Sequence, residues 1–284
     1  MKNFIVPIDF SPASLKGLDL AVLFSHKQHV HIQMVNVITT AGDYHPGTER
    51  EEMLFAEKKM DEIMTAYKSK LAPGSTLKYI IKRGKVFREV VNQVNSYKEA
   101  IVSASTHGAS GFEELFAGSN ALKIMASTNR PVFALRSKHC PKDIKTIVVP
   151  IKLHVDTRQK VPVAAEIAEL FGAEIHLVSI STRHNKRDMA RLNSYLKQAD
   201  AYLRTRKIPH VVKQVVGDSL PVLTVNYADA VNADLIVIMS SSIDKWNVFL
   251  GSYAQQMLNR ANAPLLCIKP KEKHIPIGFY TQGF

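Results

Sequence analysis

The chain repeats itself, and a duplication limits the possible folds more than any other feature of this sequence. The opening Asn3-Phe4-Ile5-Val6-Pro7-Ile8-Asp9 returns as Thr146-Ile147-Val148-Val149-Pro150-Ile151-Lys152. Gly118-Ser119 and the later Arg130-Pro131-Val132-Phe133-Ala134-Leu135-Arg136 return as Gly251-Ser252 and Ala263-Pro264-Leu265-Leu266-Cys267-Ile268-Lys269. The copies are offset by 143 residues at the first anchor and by 133 at Gly-Ser, and Gly84 and Gly217 already have the shorter offset. The second copy has therefore lost ten residues upstream of Gly217. The pattern predicts two tandem domains, 1–138 and 145–270, followed by a C-terminal tail, 271–284.

Within one copy, apolar runs alternate with amphipathic stretches. Residues 3–8 are continuously apolar, as a strand buried on both faces requires. Ser11-Pro12 then has the form of an N-cap and first helical residue, and the helix runs to about residue 27. Further strands are expected at 30–38, 76–82, 100–105 and 131–136, with helices near 48–71, 86–98 and from Gly118. The second copy predicts strands near 146–151, 174–180, 210–216, 234–239 and 264–269. Strands alternating with helices imply parallel pairing through right-handed crossovers. The fold class is α/β, with a parallel five-stranded sheet and helices on both faces in each domain.

Composition narrows the setting. Hydrophobic residues make up 46% and charged residues 22%, a globular balance that excludes a disordered chain. Two cysteines, Cys140 and Cys267, are too few for a disulfide framework or a four-thiolate zinc site. They point to a reducing, cytoplasmic location. No stretch reaches the ~20 apolar residues of a membrane span, so no membrane partner is expected. The net charge of +12 is spread over both halves: 18 Lys+Arg against 13 Asp+Glu in residues 1–140, and 19 against 12 in 141–284. Without a charge run or a nucleic-acid-binding motif, specific nucleic-acid recognition is not expected.

In open parallel sheets, ligands bind beyond the carboxyl ends of the strands. Two such ends in the first copy carry suggestive residues. One is Pro7-Ile8-Asp9; the other is Ser105-Thr106-His107-Gly108, followed by nine residues and then Gly118-Ser119 at a helix start. Glycines admit a phosphate close to the backbone, and a helix N-terminus offers free N–H groups. The plainer alternative is that Gly108, Gly111 and Gly118 only turn the chain while Ser119 caps the helix.

At these residues the chain resembles the universal stress protein family in its tandem form, over both halves. The family's nucleotide-binding branch carries Gly-x-x-Gly, nine residues, then Gly-Ser or Gly-Thr. The resemblance implies a Rossmann-like fold of the adenine nucleotide alpha hydrolase type and a stress-response role. It also implies ATP, with Mg2+ as its accompanying ion, bound in the first domain. Carried over by position, Asp9 would contact the adenosine portion with Pro7 nearby, and Val37 would lie against the base. Ala104, Ser105 and Gly108 would line the nucleotide, while Gly118, Ser119 and Asn120 would hold the phosphates. Ser105 departs from the pattern's first glycine, which weakens the pocket if a positive φ or close backbone approach is needed there.

The second copy departs further. Lys152 replaces the aspartate, Met239-Ser240-Ser241-Ser242 replaces Gly-x-x-Gly, and eight residues precede Gly251-Ser252. This predicts a degenerate structural or regulatory partner and at most one ATP per chain. Lys152 is expected to be solvated; the alternative is an anion met by Lys152 together with the hydroxyls of Ser240, Ser241, Ser242 and Ser252.

His29 and His31 share a strand face without a third ligand nearby in sequence, so an exposed strand end is expected rather than a metal site. His107, Glu113 and Glu114 fall in the loop and are expected to be structural or solvated. Trp246 and Phe249 are expected to pack. No catalytic residue is assigned. The leading reading is a regulatory binding protein; a slow ATP hydrolase and an interaction module without nucleotide are the alternatives. Each copy ends in an apolar strand, and family dimers commonly form through it. An intramolecular pseudo-dimer is therefore expected, with a homodimer as a further assembly and a protein partner of unassigned identity. On this expectation residues 1–140 alone dimerise or aggregate; a monomer at high concentration in sedimentation runs would count against it.

Overall fold

The structure, a computed structural model, describes residues 1–39, 46–106, 119–136, 140–182, 186–240 and 252–270. The chain divides into two compact units, one built on Met1–Lys142 and the other on Asp143–Ser242 with the segment from Gly251. No helix among the described residues is long and apolar enough to cross a membrane.

The first unit runs β1 (Asn3–Pro7), α1 (Pro12–Ser25), β2 (His31–Ile38), α2 (Pro46–Lys68), β3 (Thr76–Arg83), α3 (Val86–Asn95), β4 (Ile101–Ser105), α4 (Ser119–Ser127) and β5 (Val132–Leu135). The strand order is β3-β2-β1-β4-β5, and every pairing is parallel. The register sets Phe4 opposite Ile32 on one side and Ile101 on the other. Phe4, Ile5 and Val6 are fully buried, as expected for a strand covered on both faces.

Helix α1 shows how the sequence dictates this packing. Ser11 caps it, its backbone extended (φ −72°, ψ 151°) and its Oγ accepting from the Ser14 N–H at 3.1 Å, and Pro12 follows in the first turn. Phe24 on the helix meets Phe4 and Phe133 at centroid separations of 5.1 and 5.5 Å. Gly17 brings the helix backbone against β4: the Ser103 Oγ donates to the Gly17 carbonyl at 2.8 Å. A Cβ on Gly17 would lie 2.5 Å from the Ser103 carbonyl oxygen, so no other residue fits this approach without displacement.

The second unit runs β6 (Thr146–Ile151), a 3₁₀ turn (Val155–Arg158), α5 (Val161–Phe171), β7 (Glu174–Ser181), α6 (Lys186–Thr205), β8 (His210–Val216), α7 (Leu220–Ala230), β9 (Leu235–Met239), α8 (Ser252–Arg260) and β10 (Leu265–Ile268). Its order β8-β7-β6-β9-β10, again all parallel, repeats that of the first unit.

The repeat fails in one crossover. Counting 143 residues on from Gly17 reaches Lys160. A side chain there cannot enter the tight contact that Gly17 makes. The second unit instead forms the 3₁₀ turn and starts its helix only at Val161, leaving Lys160 as the helix N-cap with 1% of its surface exposed. The helix then ends at Gly172, whose φ of 69° is the left-handed cap that glycine allows.

Candidate functional site

In the first unit the strand order reverses between β1 and β4, because β1 leads to β2 on one side while β4 leads to β5 on the other. The carboxyl ends of these two strands flank the crevice in which open α/β sheets bind ligands. Pro7 ends β1, Ala104 and Ser105 end β4, and Val37 lies near the end of β2. Parallel pairing brings all of them to one edge of the sheet. Asn120, in the first turn of α4, is exposed, and α4 must start from that same edge because it leads from β4 to a parallel β5.

Asp9 follows β1 with its carboxylate exposed at this edge. Its Oδ1 accepts from the Ser11 N–H at 3.0 Å and from the Ser11 hydroxyl at 2.5 Å. Because the same hydroxyl caps α1, Asp9 is fixed relative to the helix as well as the strand. Between them Phe10 has φ 64°, left-handed backbone that costs a bulky L-residue about 1–2 kcal/mol. Backbone strain of this kind gathers at ligand sites. Beneath the loop, buried Asn36 on β2 donates to the Ile8 carbonyl at 2.8 Å, and Ile8 N–H donates to Val35 O at 2.9 Å. Sequence reasoning missed Asn36; the signal was a lone amide within an apolar strand.

Ser105 is the last residue of β4, half-buried and opposite Leu135 on β5. The described non-glycine residues with positive φ are Phe10, Lys207 and Asn232, so the backbone at Ser105 does not call for glycine. Thr106 continues the chain, its N–H donating to Leu135 O at 2.8 Å. Gly108 and Gly118 lie outside the described residues, as do His107, Gly111, Glu113 and Glu114. Ser119 is the first residue of α4.

The second unit has the same crevice with different chemistry. Lys152 directly follows β6, and Ser240 directly follows β9, its N–H donating to Ile268 O at 2.9 Å just as Thr106 does to Leu135. The expectation of a solvated Lys152 is not met. Its ammonium sits over the Tyr253 ring, 3.6 Å from the centroid, and burial pushes its pKa down to about 8. Tyr253, held by a 2.9 Å hydrogen bond between its hydroxyl and buried Thr224, presents its aromatic face to the ammonium. Ser240 is buried and directs its hydroxyl to Ile268 O at 3.4 Å, so it does not offer the free hydroxyl foreseen for an anion. Ser241, Ser242, Gly251, Trp246 and Phe249 lie outside the described residues.

Behind Lys152 is Lys160, which sequence reasoning did not single out although it stands where the repeat has Gly17. Its Nζ donates to Thr157 O at 2.6 Å and Thr157 Oγ1 at 3.1 Å, and the same hydroxyl accepts from the Lys152 N–H at 3.0 Å. Burial, and then repulsion from Lys152, hold the Lys160 ammonium well below the usual lysine range.

Cys267, buried on β10, has its thiol pushed up to about 12 by burial, which suits packing rather than reactivity. His31 is exposed, as expected of a strand end, and its Nδ1 pairs with Thr76 Oγ1 at 2.9 Å. No group of three or more His, Cys, Asp or Glu among the described residues could hold a metal ion.

Comparison with known proteins agrees with this fold. A universal stress protein from Archaeoglobus fulgidus matches with a TM-score of 0.76 at 18% identity, covering 95% of this chain and 97% of its own. A putative universal stress protein from Pseudomonas aeruginosa matches with a TM-score of 0.61 at 14% identity, covering 95% and 94%. The cytoplasmic domain of a prokaryotic cation chloride cotransporter matches at 0.55 and 12%, covering 94% of each chain. At these identities the likeness is one of fold. No curated protein matches the chain. The model of the universal stress protein family matches twice, over residues 1–136 and 143–269, and the chain accordingly belongs to the universal stress protein family.

Proposed function

We propose that the first unit binds an adenine nucleotide, ATP, at the edge where β1 and β4 end, and that its occupancy regulates association with a protein partner in a cytoplasmic stress response. The second unit is the regulatory or structural companion of that site. The supporting observation is the convergence of exposed Asp9, Pro7, Val37, Ala104 and Ser105 on one edge of one sheet, at its switch point. A carboxylate there accepts hydrogen bonds from ribose hydroxyls or an adenine amino group, and Val37 offers an apolar surface to the base. Gly108, Gly118, Ser119 and Asn120 would hold the phosphates, with Mg2+ as counter-ion. Fold alone would not carry this reading, since a cotransporter domain shares it. The reading is one of binding rather than turnover, because the sequence has no phosphate-loop lysine motif.

Mass spectrometry of small molecules released on denaturation is expected to find an adenine nucleotide. Calorimetric titration with ATP should give at most one site per chain. Asp9→Ala should weaken it about 10-fold or more, the worth of a hydrogen bond to a charged group. Gly118→Val should abolish binding while far-UV circular dichroism stays unchanged. Two equivalent sites, or full affinity in both variants, would overturn the proposal.

A further inference from the structure

The second unit holds two lysines that its own fold does not neutralise. Lys160 is 1% exposed and Lys152 is half-buried with its ammonium over the Tyr253 ring, yet neither has a carboxylate within ion-pair distance among the described residues. The nearest acid in the chain, Asp156, is already engaged: its Oδ1 accepts from Gln159 Nε2 at 2.8 Å and its Oδ2 lies 3.6 Å from His154 Nδ1. Asp156 does not contribute to the perturbation of either lysine; Lys160 instead feels the charge of Lys152. A buried charge is costly unless paired. Lys160 bears a further cost, because the Lys152 charge adds repulsion to its burial.

Lys152 stands at the edge where open α/β sheets bind ligands. Lys152 is the first residue beyond β6, where the order β7-β6-β9 reverses. Three of the nine residues 152–160 are Lys or Arg (Lys152, Arg158 and Lys160) against the single acid Asp156. In the first unit the corresponding position holds an exposed acid, Asp9. The exchange reverses the sign of the crevice.

We propose that the switch-point crevice of the second unit binds a phosphate-bearing anion, with the Lys152 ammonium as the direct contact and Lys160, joined through Thr157 to the Lys152 backbone N–H, as a positioning residue. A phosphomonoester and an inorganic diphosphate share the chemistry recognised, two or more negative oxygens offered to the Lys152 ammonium. Tyr253 holds Lys152 in position by its ring face. The inference is independent of nucleotide binding in the first unit.

The test is calorimetric titration of the full chain with inorganic pyrophosphate at about neutral pH, in two buffers of different ionisation enthalpy. Lys152 already carries its proton at this pH, whereas Lys160 is held well below the usual lysine range and must protonate as the anion arrives, so binding should take up protons from the buffer. Lys152→Met should weaken pyrophosphate at least about 10-fold, and Lys152→Arg should keep affinity and proton uptake. Lys160→Met should weaken binding less and lower the uptake as well. Gly118→Val, which removes the phosphate side of the first unit, should leave both affinity and uptake intact; repeating the titration with glucose 6-phosphate separates ester from diphosphate recognition. No binding at millimolar pyrophosphate, an unchanged affinity in Lys152→Met, or loss in Gly118→Val instead would overturn the proposal.

Discussion

Gly17→Val is expected to destabilise the first unit by about 3 kcal/mol or more. The added Cβ would start 2.5 Å from the Ser103 carbonyl oxygen and 3.1 Å from its carbon, and both are backbone atoms of the central strand β4 that cannot turn aside. Val6 Cγ1, at 3.3 Å, blocks the other direction. Helix α1 would have to lift from the sheet, taking Phe24 out of its contact with Phe4 and Phe133 and dragging the capped Ser11–Asp9 loop with it. Gly17→Ala should cost about 2 kcal/mol through the same Cβ. Ser103→Ala should cost only about 1 kcal/mol, the net worth of its bond to the Gly17 carbonyl. Denaturant midpoints followed by circular dichroism measure all three. Rescue of Gly17→Ala by Ser103→Ala would contradict the account, since the obstruction is the carbonyl and not the hydroxyl. ATP affinity should fall in the Gly17 variants even where most of the chain remains folded.

The second large effect concerns pH. Lys152 is protonated up to about 8 in the folded protein and to its ordinary 10.5 in the unfolded chain. Between those values the unfolded chain binds more protons, so this group makes stability rise with pH; below about 8 both states are charged and the full penalty of burial remains. Lys160 acts in the same sense, its folded value being lower still. The groups facing them are each other and the Tyr253 ring; Tyr253's own hydroxyl is raised by burial and stays protonated through this window. In phosphate-free buffer at about pH 7, Lys152→Met should therefore be more stable than the natural chain, by about 2 kcal/mol once the partial exposure of the side chain is allowed for. The advantage should shrink above pH ~8 and vanish near pH ~10.5. Cys140 and Cys267, with thiols pushed up to about 12 from 9.0, oppose this trend above pH 9 in every variant, so the difference between variants isolates the lysine. Pyrophosphate should stabilise the natural chain and not Lys152→Met. A natural chain more stable than Lys152→Met at pH 7 in that buffer would count against an uncompensated buried ammonium.

Much of this protein was legible before any coordinates. The repeated Val-Pro-Ile anchors and matched Gly-Ser pairs determined the duplication, and apolar runs bounded by caps determined the alternation of strand and helix. Strands at 146–151 and 210–216 fall where the sequence set them. These features are local: a buried strand needs an unbroken apolar run, and a helix start needs a capping hydroxyl, whatever lies elsewhere in the chain. That Pro7, Val37, Ala104 and Ser105 come to one edge was legible too, because a parallel sheet sends every strand end to the same edge.

Only the tertiary structure decided what those positions became. That β1 pairs with β4 as well as β2 rests on contacts 97 residues apart, Phe4 with Ile101, and it creates the switch point beside Asp9. The left-handed backbone at Phe10 is imposed between a capped helix and a pinned strand end, since nothing in the Phe side chain favours it. The extended Ser105 shows that a departure from a glycine pattern need not strain a backbone that runs on as a strand. Lys152 and Lys160 were read from sequence as surface charge or passed over, because a lysine's usual place is in water. Burial of a charge is settled by what packs over it. Here that is the ring of Tyr253, a hundred residues away, and a helix that could not begin where Gly17 lets its counterpart pass.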